Sequence, residues 1–450
     1  MLPLTDPVLR YLTMRHLVMR HLVSGLLVSC IGSFGPLAHQ AAAQTGVNDY
    51  KHLGVASCAS TVCHGKATAQ TDRHVALNEY RTWIEQDRHS QAYRALESAQ
   101  SKQIAAKLGI PNAAGAKICL DCHADNVAQA KQGPKFHLSE GVQCEACHGG
   151  SEKWIETHAE KTATHAANLG SGMYPSEQPL RRAELCLSCH LGTKDKFATH
   201  VIMGAGHPRL RFELEAFTAN QPAHFVVDAD YVERKGKIAG MNLWLTGQLE
   251  NAERYLTLLQ TPLLTPGGMI PELSFYDCYA CHHSKDKMVW TQARAGAGVK
   301  PGTLRLQKHS FVILEAVTET LGSAAAAAQL GGAVDELIRA GQTDPATLRA
   351  AAQRLLEQLH GLEPLTKRAY SNAEVAAVRK ALVRCAAEDK ASDFGSAEQV
   401  ELGLESLSYS LGDHERLKAP LDALFTTVNS GSDFSAAHFA DVAKHNQDRF

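Results

Sequence analysis

Ten of the twelve cysteines fall in five pairs, and a histidine follows the second cysteine of every pair. We number these segments motifs 1 to 5 in chain order: Cys58–His64, Cys119–His123, Cys144–His148, Cys186–His190 and Cys278–His282. Within them, the second cysteines are Cys63, Cys122, Cys147, Cys189 and Cys281. Two thiols on one helical turn can add to the two vinyl groups of one porphyrin, and the adjacent imidazole then points at the iron. The sequence therefore predicts about five covalently attached c-type haems, each with the motif histidine as an axial ligand.

Motif 1 differs from the other four because four residues, not two, separate its cysteines. This longer spacer requires a looser loop between the two thioether bonds. A disulfide between Cys58 and Cys63 is the alternative, since an oxidising compartment permits one. Zinc sites also use cysteine pairs. Neither alternative explains a histidine directly after the second cysteine five times, so haem attachment is the preferred interpretation.

A low-spin electron-transfer haem takes a second histidine or methionine on its other face, and that ligand sets much of its potential. The chain has 23 histidines but only 8 methionines. This imbalance favours coordination by two histidines and low reduction potentials.

The run from Gly141 to Gly150, which contains motif 3 and is followed by His158, resembles the cytochrome c-554 family of tetrahaem electron carriers. The segment from Trp83 to His89 resembles a second family segment. The resemblance implies that His158 ligates the haem on motif 1 and that His89 ligates the haem on motif 3. It also implies that the haem on motif 2 is five-coordinate.

The resemblance covers roughly residues 55–200 and departs from the family in several places. Motif 1 has its longer spacer, and an insertion that contains His74 precedes His89. A fifth motif and a long tail follow. Because of the insertion, His74 is a further candidate ligand.

The remaining distal ligands are expected beyond motif 4. His207, His200 and His224 lie between motifs 4 and 5, on a stretch that reads as a ligand-bearing connection. The alternative is that these histidines cap helices or bond haem propionates. His137 and His165 fall in polar loops and are weaker candidates, while His283 directly follows His282 and cannot easily reach the same iron.

The N-terminus predicts export. Arg15 and Arg20 precede an apolar stretch at 22–31, and small residues follow it, which is typical of a signal peptide over 1–43. The apolar stretch is too short to span a bilayer. Lipidation of Cys30 is the alternative. No later segment is apolar enough for a membrane span, so we expect a periplasmic protein.

The fold class is predicted to be mainly α, with a haem-cored region of short helices and loops followed by a C-terminal helical bundle. Residues 44–200 would form the c-554-like region with four haem sites, residues 201–302 an extension with the fifth site, and residues 303–450 a bundle of five or six helices. Helices are predicted over 77–108, 210–217 and 242–260, where apolar residues recur at helical spacing. Asp344 with Pro345 and two capping boxes, Ser371 to Glu374 and Ser396 to Gln399, predict helix starts in the tail. Cys385 is expected to be a buried apolar residue.

The net charge of −2 gives no basic surface for nucleic acid. Electron transfer between periplasmic or membrane-bound redox partners is the leading interpretation, with the tail as a candidate surface for homo-oligomer formation. The alternative is a multihaem oxidoreductase acting on a small nitrogen or sulfur compound. Such an enzyme requires one haem with an open axial position, and the resemblance points to motif 2.

Overall fold

The computed structural model describes residues 47, 49–71, 74–267, 270–283, 299–300, 302–429 and 434–450. The predicted signal peptide, with Cys30, lies outside the described residues, as does most of the Gly- and Pro-bearing segment before residue 303. Among the helices that the structure describes, none combines the length and the apolar character needed to cross a bilayer.

The described chain is mainly α-helical, which confirms the predicted fold class. Its extended pairing is limited to two isolated bridges, His52 with Gln132 and Tyr276 with Leu306. The α-helices are, in chain order, α1 (Glu79–Gln86), α2 (Ala92–Ala95), α3 (Ala99–Lys107), α4 (Lys117–His123), α5 (Cys144–His148), α6 (His165–Gly170), α7 (Pro179–His190), α8 (His200–Gly204), α9 (Leu214–Asn220), α10 (Ala229–Lys235), α11 (Gly240–Leu259), α12 (Ser310–Leu321), α13 (Ala324–Ala340), α14 (Pro345–His360), α15 (Glu363–Lys367), α16 (Asn372–Ala387), α17 (Phe394–Leu411), α18 (His414–Val428) and α19 (Ala436–Asn446).

Three of the five motifs lie on helices that end at the motif histidine. These are α4 for motif 2, α5 for motif 3 and α7 for motif 4. Cysteines three residues apart share one helix face, so the two thiols project together. Motif 5 starts in a 3₁₀ turn at Cys278–Ala280. Motif 1 follows a 3₁₀ turn that ends at Ser57, and its own residues form turns and bends.

The single helix predicted over 77–108 is wrong, since the structure breaks it into α1, a 3₁₀ turn, α2 and α3. At Asp87 the backbone becomes extended, and the Asp87 side chain accepts a hydrogen bond from the backbone N–H of His89. Ser98 caps α3 in the same way by accepting from Ser101 N–H. Side-chain caps of this kind compete with continued helix. The apolar periodicity persists across both breaks, which is why it predicted one helix.

Helix α11 confirms the helix predicted over 242–260 and lies at the centre of the second half of the molecule. It packs against α7, α9, α12, α14, α15 and α17. Trp244 and Leu256 of α11 belong to one hydrophobic cluster with Leu355 of α14 and Leu404 of α17. The hydrophobic core is therefore continuous across the predicted boundary at residue 303.

The described tail contains eight α-helices, α12 to α19, where five or six were predicted. The capping box at Ser371 and Glu374 is confirmed with both of its hydrogen bonds. The box predicted at Ser396 is wrong, because Asp393 caps α17 and accepts from both the N–H and the hydroxyl of Ser396. Helix α17 consequently starts at Phe394, and Ser396 lies within its first turn.

The free thiol of Cys385 is buried in α16, as expected for a small apolar core residue. Burial raises the pKa of this thiol to about 12, so it carries no charge near neutral pH. Nothing in its surroundings assigns it a chemical role.

Gly247 of α11 allows the close approach of α9, which packs against the helix that carries motif 4. A Cβ atom at Gly247 would lie 2.5 Å from the Cβ of Leu214, and Leu214 packs in one small cluster with Ala183 and Leu187 of α7. Alanine normally stabilises a helix interior by about 1 kcal/mol relative to glycine. At this position the steric clash with Leu214 makes alanine destabilising relative to glycine.

We expect Gly247→Ala to lower the free energy of unfolding by about 1–3 kcal/mol, measured by guanidinium denaturation. The matched control is Gly332→Ala in α13, where an added Cβ meets nothing within 4 Å. This control is expected to raise stability by about 1 kcal/mol. Equal effects at the two positions would contradict the packing argument.

Candidate haem-binding sites

Each of the five motif histidines has a second histidine ring opposite it. The ring centroids are 6.2 Å apart for His64 and His158, 6.2 Å for His123 and His207, 6.2 Å for His148 and His224, 6.3 Å for His190 and His89, and 6.1 Å for His282 and His200. The five histidines predicted as distal ligands thus each occur in one pair.

The separation within the pairs is larger than that of directly stacked rings and fits coordination of a metal ion. A metal–imidazole bond is about 2.0 Å long and the ring centre lies about 1.1 Å beyond the nitrogen, so two imidazoles on one ion have centres about 6 Å apart. By contrast, His190 and Phe212, which touch directly, have centroids 4.5 Å apart. With a cysteine pair beside each motif histidine, the donor set fits haem c.

The pairing differs in two respects from what the family resemblance implied: motif 2 has an opposing ring, His207, and His89 faces a different motif. His158 lies opposite His64, as expected, but His89 faces His190 and not His148. The position opposite His148 is taken by His224. The backbone of His89 does lie near motif 3, because its carbonyl accepts from Val142 N–H. Its ring, however, is turned towards α7.

Hydrogen bonds orient the rings of several paired histidines. Five of them have their Nδ1 atom bonded to an oxygen: His64 to Glu79 at 2.9 Å, His89 to Asp87 at 2.9 Å, His123 to the Ala92 carbonyl at 3.0 Å, His158 to the Ile155 carbonyl at 2.7 Å and His207 to the Pro208 carbonyl at 2.7 Å. A ring that donates from Nδ1 presents the lone pair of Nε2 to a metal, which is the usual arrangement for ligating histidines.

The electrostatics of the buried rings favour the neutral form that binds metals. Burial lowers the pKa of His148 to about 3 and that of His190 to about 4, and the opposite ring, His224 or His89, adds to each effect. The carboxylates of Glu79 and Asp87 act in the other direction and raise the pKa values of His64 and His89.

Two other histidines have their nitrogens engaged elsewhere. His52 is buried, with Nδ1 bonded to Asp125 at 2.7 Å and Nε2 to the Val47 carbonyl at 2.8 Å. His165 uses Nε2 to bond Glu177 at 2.8 Å. Neither ring pairs with a motif histidine.

His74, the candidate in the insertion, also lies away from the motif histidines. Its Nδ1 atom bonds Asp228 at 2.9 Å, and Asp230 is near enough for the three side chains to share a cation. Arg234 already pairs with Asp230. The structure therefore brings His74 to an exposed charged cluster.

The thiols of different motifs lie beside one another. Cys58 of motif 1 lies next to Cys144 of motif 3, and Cys122 of motif 2 lies next to Cys189 of motif 4. Cys147 of motif 3 is also near Cys186 and Cys189 of motif 4. Motifs 1 to 4 therefore form one connected cluster.

Motif 5 joins this cluster through a cavity that also reaches the C-terminal bundle. The cavity is lined by His190, Arg209, Cys278 and Glu398, among others. Arg209 donates two hydrogen bonds to Glu398 of α17, at 2.6 and 3.0 Å. Beside it, the rings of Tyr279 and Phe394 pack with centroids 4.6 Å apart. The tail thus supplies part of the wall around motif 5.

Comparison with known proteins finds a family match in the first third of the chain. Residues 57–149 match the family model of cytochrome c554 and c-prime. Over these residues the chain is similar to the cytochrome c554 family. This match confirms the resemblance seen around motif 3 and covers motifs 1 to 3. No curated protein and no solved structure matches the chain.

This similarity supports a c-type cytochrome with covalently bound haem c and a role in electron transfer. Motifs 4 and 5 lie outside the matched residues. The structure nevertheless gives these two motifs the same paired histidines as the first three.

Glu145 of motif 3 holds the segment that leads into motif 1 by hydrogen bonds. Its carboxylate is buried and accepts hydrogen bonds from the backbone N–H groups of Leu53, Gly54 and Ser151, at 2.7, 2.8 and 2.8 Å. Glu145 lies inside the run from Gly141 to Gly150, but the spacing of that run assigns it no role. The signal that could have pointed to Glu145 is its position between the two attachment cysteines of motif 3, where its side chain becomes buried.

We expect Glu145→Gln to lower the free energy of unfolding of the cytochrome by about 2–3 kcal/mol. An amide presents only one acceptor oxygen to three N–H donors, so at least one buried donor loses its partner. Guanidinium denaturation followed by circular dichroism measures the change. Glu152→Gln is the control, since Glu152 is more exposed and its removal should cost less than about 0.5 kcal/mol. A loss at Glu145 no larger than this would contradict the assignment.

Proposed function

We propose that this cytochrome conducts electrons through five haems, each ligated by two histidines, between redox partners in the periplasm. The observation that carries the proposal is the set of five opposed imidazole pairs, whose centroids are all 6.1–6.3 Å apart. A bound haem supplies a centre that takes up and releases one electron. Two cysteines would attach each centre to the chain, and two opposed histidines would hold its iron.

The contacts between motifs support conduction from site to site. The Cys58–Cys144 contact joins motif 1 to motif 3, and the Cys122–Cys189 contact joins motif 2 to motif 4. Cys147 lies near Cys189, which brings motifs 3 and 4 together. The cavity shared by His190 and Cys278 adds motif 5 beside motif 4. Motif 4 is therefore the junction of the proposed route.

The alternative function, an oxidoreductase acting on a small nitrogen or sulfur compound, requires an iron with an open position. The resemblance implied that position at motif 2. There, His207 faces His123 with a centroid separation of 6.2 Å, and both Nδ1 atoms bond backbone carbonyls. Two oriented imidazoles favour a closed site, and no described residue near motif 2 favours the enzyme.

Export to the periplasm and the role of the tail belong to the same proposal. The N-terminal charge and apolar pattern supports export, and covalent haem attachment is consistent with an extracytoplasmic site.

The tail supports motif 5 through Glu398 and Phe394. Pairing of two copies through the tail stays a prediction, and sedimentation of the holoprotein would test it.

Mass spectrometry of the mature holoprotein tests the haem number. We expect the polypeptide mass plus five haem increments, with the N-terminus close to residue 44. A Cys58→Ser, Cys63→Ser double variant should lose one increment. A wild-type mass with four increments would remove motif 1 from the proposal.

Electron paramagnetic resonance tests whether two histidines ligate every haem iron. Wild-type cytochrome should show only low-spin haems and no response to hydroxylamine or nitric oxide. His207→Ala should convert one haem to a high-spin, ligand-binding form, because His123 loses its opposing ring. His165→Ala is the control and should leave the spectrum unchanged, since Nε2 of His165 bonds Glu177. A high-spin, hydroxylamine-responsive haem in the wild type would favour the enzyme.

A further inference from the structure

The paired histidines differ in what their Nδ1 atoms bond. Three of them, His123, His158 and His207, donate to backbone carbonyls. Two others, His64 and His89, bond carboxylates. A carbonyl is a neutral acceptor, whereas a carboxylate carries a full negative charge.

Asp87 is held as a fixed partner for His89. Its side chain is 8% exposed. One carboxylate oxygen accepts from both the backbone N–H and Nδ1 of His89, each at 2.9 Å, and the other accepts from Nε2 of Gln221 at 2.8 Å. Three donors from two separate segments thus hold the carboxylate against the ring. Asp87 is also the residue at which the chain leaves α1.

Glu79 holds His64 in a similar way from the first turn of α1. One of its oxygens bonds Nδ1 of His64 at 2.9 Å, and the other accepts from Leu77 N–H at 3.0 Å. The Glu79 side chain is 16% exposed. The Glu79 carboxylate that bonds His64 is therefore more exposed to solvent than the Asp87 carboxylate that bonds His89.

An anionic acceptor changes what the imidazole does on its other side. Hydrogen bonds to a charged partner are roughly twice as strong as neutral ones, so the Nδ1 proton is drawn further towards oxygen. The ring then becomes a stronger electron donor through Nε2, which favours the oxidised iron. The negative charge nearby also disfavours an added electron. Both effects lower a reduction potential.

We propose that Asp87 and Glu79 are positioning residues that lower the reduction potentials of the haems on motifs 4 and 1. The proposal rests on the function proposed above, in which His89 and His64 are axial ligands. The step concerned is a one-electron reduction of iron(III) to iron(II), with the electron supplied by a redox partner protein. Because motif 4 is the junction of the route, a low potential there makes electrons pass through it without accumulating.

Redox titration of the full-length holoprotein, followed by optical and electron paramagnetic resonance spectra, tests the proposal. Asp87→Asn should raise the midpoint potential of one haem, and Glu79→Gln should raise that of a different haem. The double variant should show both shifts. The control is Asp228→Asn, which changes a carboxylate–imidazole bond of the same 2.9 Å length at His74 and keeps a residue that caps helices well. It should shift no potential.

The outcomes separate this proposal from the function on which it rests. Low-spin spectra of the wild type test the bis-histidine ligation by themselves, before any variant is made. With that ligation present, an Asp87→Asn protein with unchanged potentials overturns the proposal. If Asp87→Asn instead turns one haem high-spin, Asp87→Glu decides, because it keeps the charge: a wild-type potential supports the proposal and a raised one overturns it.

Discussion

Two imidazoles that bind one iron must face each other across a separation set by two metal–nitrogen bonds. Only one member of each pair is local to its cysteines. The other arrives from a distant part of the chain, as His158 does for motif 1 and His89 for motif 4. The first half of the molecule is built around this requirement. Three of its short helices, α4, α5 and α7, end at a motif histidine, and its loops return to motifs already passed.

Buried carboxylates hold these returning segments in place. Glu145 ties the chain before motif 1 to motif 3 through three backbone N–H groups. Asp87 binds the ring of His89 and, through Gln221, the segment that carries His224. A single side chain thus connects the ligands of two neighbouring sites. Such anions remain buried at acceptable cost because several donors satisfy them.

In the second half of the molecule, helix packing positions motifs 4 and 5. Helix α11 packs on one side against α7, which carries motif 4, and on the other against the helices of the tail. Gly247 permits the close approach of Leu214, and Glu398 of α17 bonds Arg209 beside motif 5. Continuous packing from motif 4 into the bundle explains why a tail without a haem motif belongs to the same core.

Sequence alone determined the features that depend on local spacing. The five motifs could be read directly because two thiols and an imidazole must occupy neighbouring positions to attach and ligate one haem. Helix α11 and the capping box at Ser371 were likewise predictable from short-range patterns. The histidines His89, His158, His200, His207 and His224 could be named as distal candidates, since ligand chemistry limits the choice of residue.

Only the tertiary structure decided which of those histidines faces which motif. His89 was assigned to motif 3 by resemblance and lies opposite motif 4, because its ring direction depends on the break at Asp87 and on a bond to Gln221 far along the chain. The roles of Glu145 and Glu398 were hidden for the same reason, since their partners are remote in sequence. Local spacing fixes which atoms can react with one haem, whereas opposing ligands depend on long-range packing that no short pattern encodes.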